Sequence, residues 1–257
     1  MRLNETQLKE IEELGYIILP NCFSKKEVNK IREEMKTVFD EKTEANIIEK
    51  SSGVVRTAMG LHLRSSFFSD LTRHPNFFEP ACQIRGNSLY IQQTKINVKA
   101  AFTGEVWQWH YDFATHSGED GVPKPLALNL HVFIDDVTEF NGPLFFIPKS
   151  HKYGSAPSKL DTITTNYPLW VVNQQTVRDL VKENGIVSAR GRAGTALIFV
   201  DNLVHGSAQN MSPMDRAIFS AILNPCDNAQ TKFARPDYKH GRNFKPIKPS
   251  SVNSLLN

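Results

Sequence analysis

Apolar residues at helical spacing dominate the first third of the chain, and short apolar or alternating runs dominate the rest. In residues 4–15, Leu8, Ile11 and Leu14 recur every three residues after Asn4, a helix-capping residue type, until Gly15 ends the pattern. "YIILP" (16–20) reads as a short strand closed by Pro20. "SKKE" (24–27) is a capping box that opens a second helix carrying Val28, Ile31, Met35 and Val38. A third helical stretch, 66–86, breaks at Pro75 and is predicted to restart there, because proline fits a helix's first turn.

From residue 88 the texture changes. "SLYIQQTKINVKA", "EVWQWHYDF", "LALNLHVFIDDV", "GPLFFIPKSH", "GTALIFVD" and "RAIFSAILNP" are strand-length runs separated by turn residues. In "NGP" (141–143), Gly142 can take the positive φ that a tight connection needs. This order predicts an α+β fold with a sandwich or barrel core. We expect a single domain over 1–257, with a mainly helical flank (1–87) and a strand core (88–225). An insertion, 158–188, carries the short helix "VRDLVKENG". The basic tail, 229–257, is expected to be a solvated segment or a mobile cover.

Composition narrows the function classes. The 257 residues are 40% hydrophobic and 22% charged, as in ordinary globular proteins, and the net charge of +3 is too mild to imply a nucleic-acid partner. No apolar run is long enough for a membrane span, and the first ten residues lack the apolar stretch of a signal peptide. Cys22, Cys82 and Cys226 are odd in number and unpaired in spacing, which argues against disulfides and a thiolate zinc site. Incidental thiols in a reducing cytoplasm are the expectation.

The chemistry concentrates in "EVWQWHYDFATH" (105–116). His110 and Asp112 are two apart, so on a strand both side chains leave the same face. An H-x-D pair alone is weak, since a hydrogen-bonded histidine is commoner than a ligand. Far downstream, however, His205 follows a strand and Arg216 begins another. Two histidines and a carboxylate form the facial triad of non-haem iron, whose open positions take a bidentate keto acid and dioxygen. Zinc hydrolases use similar ligands but need a separate general base and give a distant arginine no role. Under the iron reading, Arg216 holds the keto acid's far carboxylate bidentately; otherwise it is a surface ion pair with a neighbour such as Asp215.

"WQWHYDF…EDGVPKPLALNLHVFIDDVTEFNGPLFFIPKSHK" and "VHGSAQNMSPMDR" resemble the phytanoyl-CoA dioxygenase superfamily of iron(II)/2-oxoglutarate oxygenases. The branch is that of ectoine hydroxylase and the hydroxylases of free proline and leucine. The resemblance implies a double-stranded β-helix (jelly roll) flanked by helices, with Fe(II), 2-oxoglutarate and O2 as reactants. It implies metal ligands at His110, Asp112 and His205, and 2-oxoglutarate contacts at Arg216, Ser207, Asn97 and Trp107. It needs no catalytic side chain beyond the metal ligands. Related halogenases lack the carboxylate, so Asp112 favours hydroxylation.

Gln93 and Lys95 share a strand face with Asn97 and match positions near the substrate; the alternative is an exposed sheet face. Trp107 and Trp109 have the wrong parity to face the metal, so Trp107 reaches the co-substrate only if the strand bulges before His110. Trp109 is expected in the core. Ectoine hydroxylases carry Trp, Asn and Phe where this chain has His116, Ile218 and Ser220, which disfavours ectoine. A small free amino acid is the expected substrate, L-proline at C3 or C4 ahead of leucine and pipecolate. Lys95 or, less directly, Arg56 would hold its carboxylate. The non-enzymatic alternative is a jelly-roll binding module. His62, His74, His131, His151 and His240 are expected to be satisfied structural histidines. The oligomeric state is not set by the sequence.

Overall fold

The computed structural model describes residues 1–49, 52–164 and 167–256. Local signals set the first elements. Asn4 and Gln7 exchange the two hydrogen bonds of a capping box at the start of helix α1 (Glu5–Leu14), and Gly15 ends it at φ 87°, a conformation that favours glycine. Strand β1 (Tyr16–Leu19) follows. Ser24 and Glu27 cap helix α2 (Lys25–Asp40) in the same way. Strands β2 (Asn46–Ile48) and β3 (Val55–Met59) then interrupt the flank that was expected to be mainly helical. Helices α3 (Leu61–Arg64), α4 (Ser66–Thr72) and α5 (Pro75–Arg85) complete it, with Pro75 in the first turn of α5 as anticipated.

The remaining chain is mostly strand. It runs through β4 (Leu89–Lys99), β5 (Trp107–His110), helix α6 (Asp112–Gly118), β6 (Leu128–Phe133) and β7 (Leu144–Phe146). The insertion contributes β8 (Ser158–Asp161), β9 (Leu169–Val172) and helix α7 (Gln174–Asn184), so it is more strand-rich than expected. Strands β10 (Val187–Ala189), β11 (Ala196–Val200), β12 (His205–Ser207) and β13 (Arg216–Pro225) follow.

Two antiparallel sheets result, the jelly-roll arrangement. The larger has the order β1-β11-β6-β13-β4-β3-β2, and the smaller β10-β7-β12-β5-β9-β8. Helices cover the outer face of the larger sheet, and period-two alternation sorts its residues. On β13, Phe219 points outward and stacks on Phe68 of α4 and Phe77 of α5, with centroids 5.7 and 6.4 Å apart. Each such fully buried ring contributes on the order of 2–3 kcal/mol. Arg216, Ile218, Ser220 and Ile222 therefore face the other way, toward the smaller sheet. All six residues of β6 are buried for the same reason: both faces of the sheet are covered.

The C-terminal segment corrects the expectation of a solvated tail. Its backbone runs along β4, with the amide of Gly241 donating to the Gln92 carbonyl (2.7 Å) and that of Ile247 to Leu89 (2.8 Å). His240 and Leu255 are buried. All three cysteines are free. No described helix is long and apolar enough to cross a membrane.

Candidate active site

A cavity opens between the inner faces of the two sheets. His110, Asp112 and His205 meet on its smaller-sheet side, with one potential ligand atom from each within 4.8 Å of the others. The strand explanation of the H-x-D spacing is only half right. Strand β5 stops at His110, Tyr111 remains extended (φ −133°, ψ 140°), and Asp112 is the first residue of α6. The extended Tyr111 keeps the two side chains on one side while the chain turns into a helix. His205 enters from β12, paired directly opposite His110.

Hydrogen bonds orient both imidazoles. Nδ1 of His110 donates to the Gln108 carbonyl (2.6 Å) and Nδ1 of His205 to the Leu203 carbonyl (2.9 Å). A carbonyl can only accept, so each ring carries a proton on Nδ1 and turns Nε2 to the centre. Burial, with His205 alongside, pulls the His110 pKa down to about 3, which keeps the ring neutral. Burial would raise Asp112, but His205, Lys95 and His110 hold it below the usual carboxylate range. Two imidazole nitrogens and one carboxylate on one side are the donor set that suits iron(II). Asp112 is the only carboxylate among the described wall residues, so the separate general base of a zinc hydrolase is missing from the wall.

Arg216 lies in the wall on the larger-sheet side. Its Nε and Nη2 donate to the Gly142 carbonyl at 3.1 and 2.6 Å. Among the described residues no carboxylate is within ion-pair distance of it, so Asp215 is not its partner; Asp215 instead accepts from the Ala101 amide. Burial, with Arg56 nearby, lowers Arg216 to about 9, which still leaves it charged at neutral pH. A buried cation without a counter-ion fits the far carboxylate of 2-oxoglutarate. Gly142 sits at φ 72°, and a Cβ there would come within 2.6 Å of Lys99 Cδ. The turn that aims its carbonyl at Arg216 thus requires glycine.

Asn97 is also in the wall and accepts a hydrogen bond from Thr57 Oγ1 at 2.9 Å, which leaves its amide nitrogen for a ligand. The bulge that Trp107 requires is present. Between the pairs His205–His110 and Ser207–Trp107, two steps of β12 face three of β5. The extra residue turns Trp107 into the wall, while Trp109 packs outside on Phe145 with centroids 6.5 Å apart. Ser207 is buried with an unpartnered hydroxyl, but it is not among the wall residues.

Gln93, Lys95, His116 and Ile218 all line the cavity; Ser220 is fully buried in the sheet between wall residues. The polar row on β4 is therefore not an exposed sheet face. His116 Nδ1 meets the Asp201 carboxylate at 2.9 Å, and that anion raises the His116 pKa against the effect of burial. Arg56 must be withdrawn as a substrate contact. Its guanidinium pairs with Glu105, donates to the Val106 carbonyl (3.0 Å) and lies 4.1 Å from the Trp107 ring centroid, outside the wall. The charge is already spent, and its position backs Trp107.

Four of the wall residues that escaped the sequence reading bear on the chemistry of the cavity. His131 was taken as a satisfied histidine, yet neither ring nitrogen has a partner among the described residues, and the same holds for both amide atoms of Asn129. A signal existed: in "LNLHVF" the polar residues fall at alternate positions of a wholly apolar strand, so they share one inner face. Tyr167 of the insertion and Arg235 of the C-terminal segment had no such signal. Arg235 is fixed by Asp120, to which Nε and Nη2 donate at 2.7 and 2.5 Å. The other histidines are partnered as expected: His62 with Thr94, His74 as the cap of α5, His151 with the Glu12 carbonyl and His240 with Asp120.

A family model described as phytanoyl-CoA dioxygenase (PhyH) matches residues 11–218. An ectoine dioxygenase of Nocardia farcinica is 32% identical over 260 residues, covering 95% of this chain and 87% of the relative. An L-proline trans-4-hydroxylase of Streptomyces griseoviridis is 30% identical over 251 residues, covering 94% of both chains. Among solved structures, EctD from S. alaskensis with bound Fe superposes with a TM-score of 0.85 at 26% identity, covering 97% of this chain and 87% of that one. The same protein with 2-oxoglutarate and 5-hydroxyectoine gives 0.83 at 26% identity, covering 97% and 86%. With the His–Asp–His centre and the buried arginine, these matches establish that the chain belongs to the phytanoyl-CoA dioxygenase family and is an iron- and 2-oxoglutarate-dependent dioxygenase.

Proposed function

We propose that the whole chain acts as one oxygenase domain that hydroxylates an unactivated C–H bond of a small free amino acid, L-proline at ring carbon 3 or 4 being the favoured substrate. Ectoine is the second reading, supported by the recurrence of ectoine dioxygenases among the relatives. The observation that carries the first reading is the polar wall beyond the metal centre. Where ectoine hydroxylases present an aromatic residue, this cavity presents His116 paired to Asp201, with Ile218 and Ser220 replacing the amide and aromatic positions. The L-proline hydroxylase relative supports the choice of proline.

Under this reading His110, Asp112 and His205 hold iron(II), and Arg216 holds the C5 carboxylate of 2-oxoglutarate with Asn97 and Trp107 beside it. When bound with dioxygen, this pair supplies oxidative decarboxylation of the keto acid, giving succinate and carbon dioxide, and insertion of one oxygen atom into a C–H bond. The protein's part is placement. The sheet holds Arg216 and the triad on opposite walls, so the keto acid spans a fixed gap. Gln93 and Lys95 orient the substrate so that one carbon faces the metal. Tyr167 and Arg235, from the insertion and the C-terminal segment, exclude water from that position.

The test is to incubate the protein with iron(II), ascorbate, 2-oxoglutarate and, separately, L-proline, L-leucine, L-pipecolate or ectoine, measuring succinate and hydroxylated product. Proline is expected to give both in equal amounts. Turnover of ectoine in preference to proline would establish the second reading.

A further inference from the structure

We propose that Lys99 is a positioning residue, a buried stay between the two sheets that sets the gap 2-oxoglutarate spans from the metal centre to Arg216. The proposal rests on the reading of Arg216 given above and adds the residue that fixes its distance from the ligands.

Lys99 ends β4 and pairs directly with Arg216, the first residue of β13, so both side chains leave the larger sheet toward the smaller one. Only one of them reaches the cavity. Arg216 lines it, whereas Lys99 is 1% exposed, lies outside the wall and crosses to the other sheet. Its Nζ donates to the Glu105 carbonyl (2.5 Å) and to the Ala208 carbonyl (2.6 Å). Glu105 lies shortly before β5, which carries Trp107 and His110, and Ala208 directly follows β12, which carries His205. One side chain of the larger sheet thus holds the ends of both histidine-bearing strands of the smaller sheet.

The stem of Lys99 has no room to swing. A Cβ at Gly104 would come within 2.6 Å of Lys99 Cβ, and one at Gly142 within 2.6 Å of Lys99 Cδ. Gly142 is the residue whose carbonyl holds Arg216. The turn that fixes the cation therefore rests on the stem, while the loops beside the histidine ligands are tied to its tip. A displacement of Nζ would shift the two ends of the co-substrate's seat relative to each other.

Charge is not what Lys99 contributes. Burial, with Arg216 and Arg56 close by, pushes its pKa down to about 6 against the opposing pull of Glu49 and Glu105. At neutral pH it is mainly an amine, whose two N–H groups match the two carbonyls. Neither carbonyl has water to fall back on, so the link keeps its length. Arg216 supplies the charge for the keto acid, and Lys99 supplies the spacing.

The experiment measures binding without turnover. 2-Oxoglutarate and 2-oxoadipate, one methylene longer, are titrated anaerobically into the full chain loaded with iron(II). Glutarate, which lacks the ketone and engages the arginine end alone, is titrated into the metal-free chain. Lys99→Met keeps the stem and removes the donors. It should weaken 2-oxoglutarate about 10- to 100-fold, the range for misplacing a reacting group by about 1 Å, and erase most of the preference over 2-oxoadipate. Glutarate should stay within about twofold of wild type, because its one anchor is intact. Lys99→Arg keeps donors for both carbonyls on a longer head and covers the case in which Lys99→Met does not fold; its preference should move toward 2-oxoadipate. Unchanged discrimination between the two keto acids in either folded variant, or 2-oxoglutarate and glutarate weakened alike by Lys99→Met, overturns the proposal. Arg216→Ala tests the reading beneath it and should abolish glutarate binding. Glutarate bound by that variant as tightly as by wild type overturns the Arg216 reading rather than the role of Lys99.

Discussion

Asp120→Asn should loosen the C-terminal segment from the cavity wall and do so in a pH-dependent way. Asp120 is fully buried just beyond α6 and takes both Arg235 nitrogens and Nδ1 of His240 (2.8 Å) on its carboxylate. Burial alone would raise its pKa, but the hydrogen bonds from His240 and Arg235 hold it at about 2, against an ordinary 3.8. A depressed carboxylate stabilises the fold above its unfolded pKa, and that stability is lost as pH falls through the folded one. The gap corresponds to about 2 kcal/mol at pH 7 and roughly half of that at pH 3. Removing one member of a buried ion cluster also strands its partners, so the total cost at pH 7 should be about 3 kcal/mol, the lower end for such pairs. Urea unfolding of both proteins at pH 7 and pH 3 measures this. The difference should shrink by about 1 kcal/mol at the lower pH, and limited proteolysis within residues 229–249 should quicken in the variant. A difference below about 1 kcal/mol at pH 7, or one that does not change with pH, would refute the claim that this charge anchors the segment.

Asp112→Ala should lower hydroxylation by at least about a hundredfold with the thermal unfolding transition preserved; full activity would remove it from the metal centre. Arg216→Ala should raise the KM for 2-oxoglutarate on the order of a hundredfold, as for a lost charged pair in a buried site; an unchanged value would mean that another cation holds that carboxylate. Gly142→Ala forces a Cβ to within 2.6 Å of Lys99 Cδ at a positive φ, and should cost about 1–3 kcal/mol while raising the 2-oxoglutarate requirement through the displaced carbonyl. A variant of wild-type stability and KM would show that the turn is free to move.

The features legible in the sequence are those that depend on short-range physics. The capping residues Asn4 and Ser24, the helix restart at Pro75 and the turn at Gly142 act within one or two turns of chain, and the structure has each of them. The chemistry of the centre was legible as well, because metal ligation demands particular side chains and His110, Asp112, His205 and Arg216 are few enough to stand out. Even the bulge before His110 could be anticipated, since only an extra residue reconciles Trp107 with a face opposite in parity.

Partnership across the fold was not legible. Arg56 and Lys95 are both basic residues near apolar runs, yet Glu105 neutralises the first, whereas the second faces the cavity without a counter-ion. The basic tail resembles any solvated charge run, and only the contact with Asp120, 115 residues away from Arg235, turns it into a wall of the site. By itself the sequence determined the reaction class and the local elements, because ligand identity and capping are properties of a few residues each. The tertiary structure alone decided which charges remain uncompensated inside the cavity, because compensation depends on which distant groups two sheets and a returning tail bring within hydrogen-bond reach.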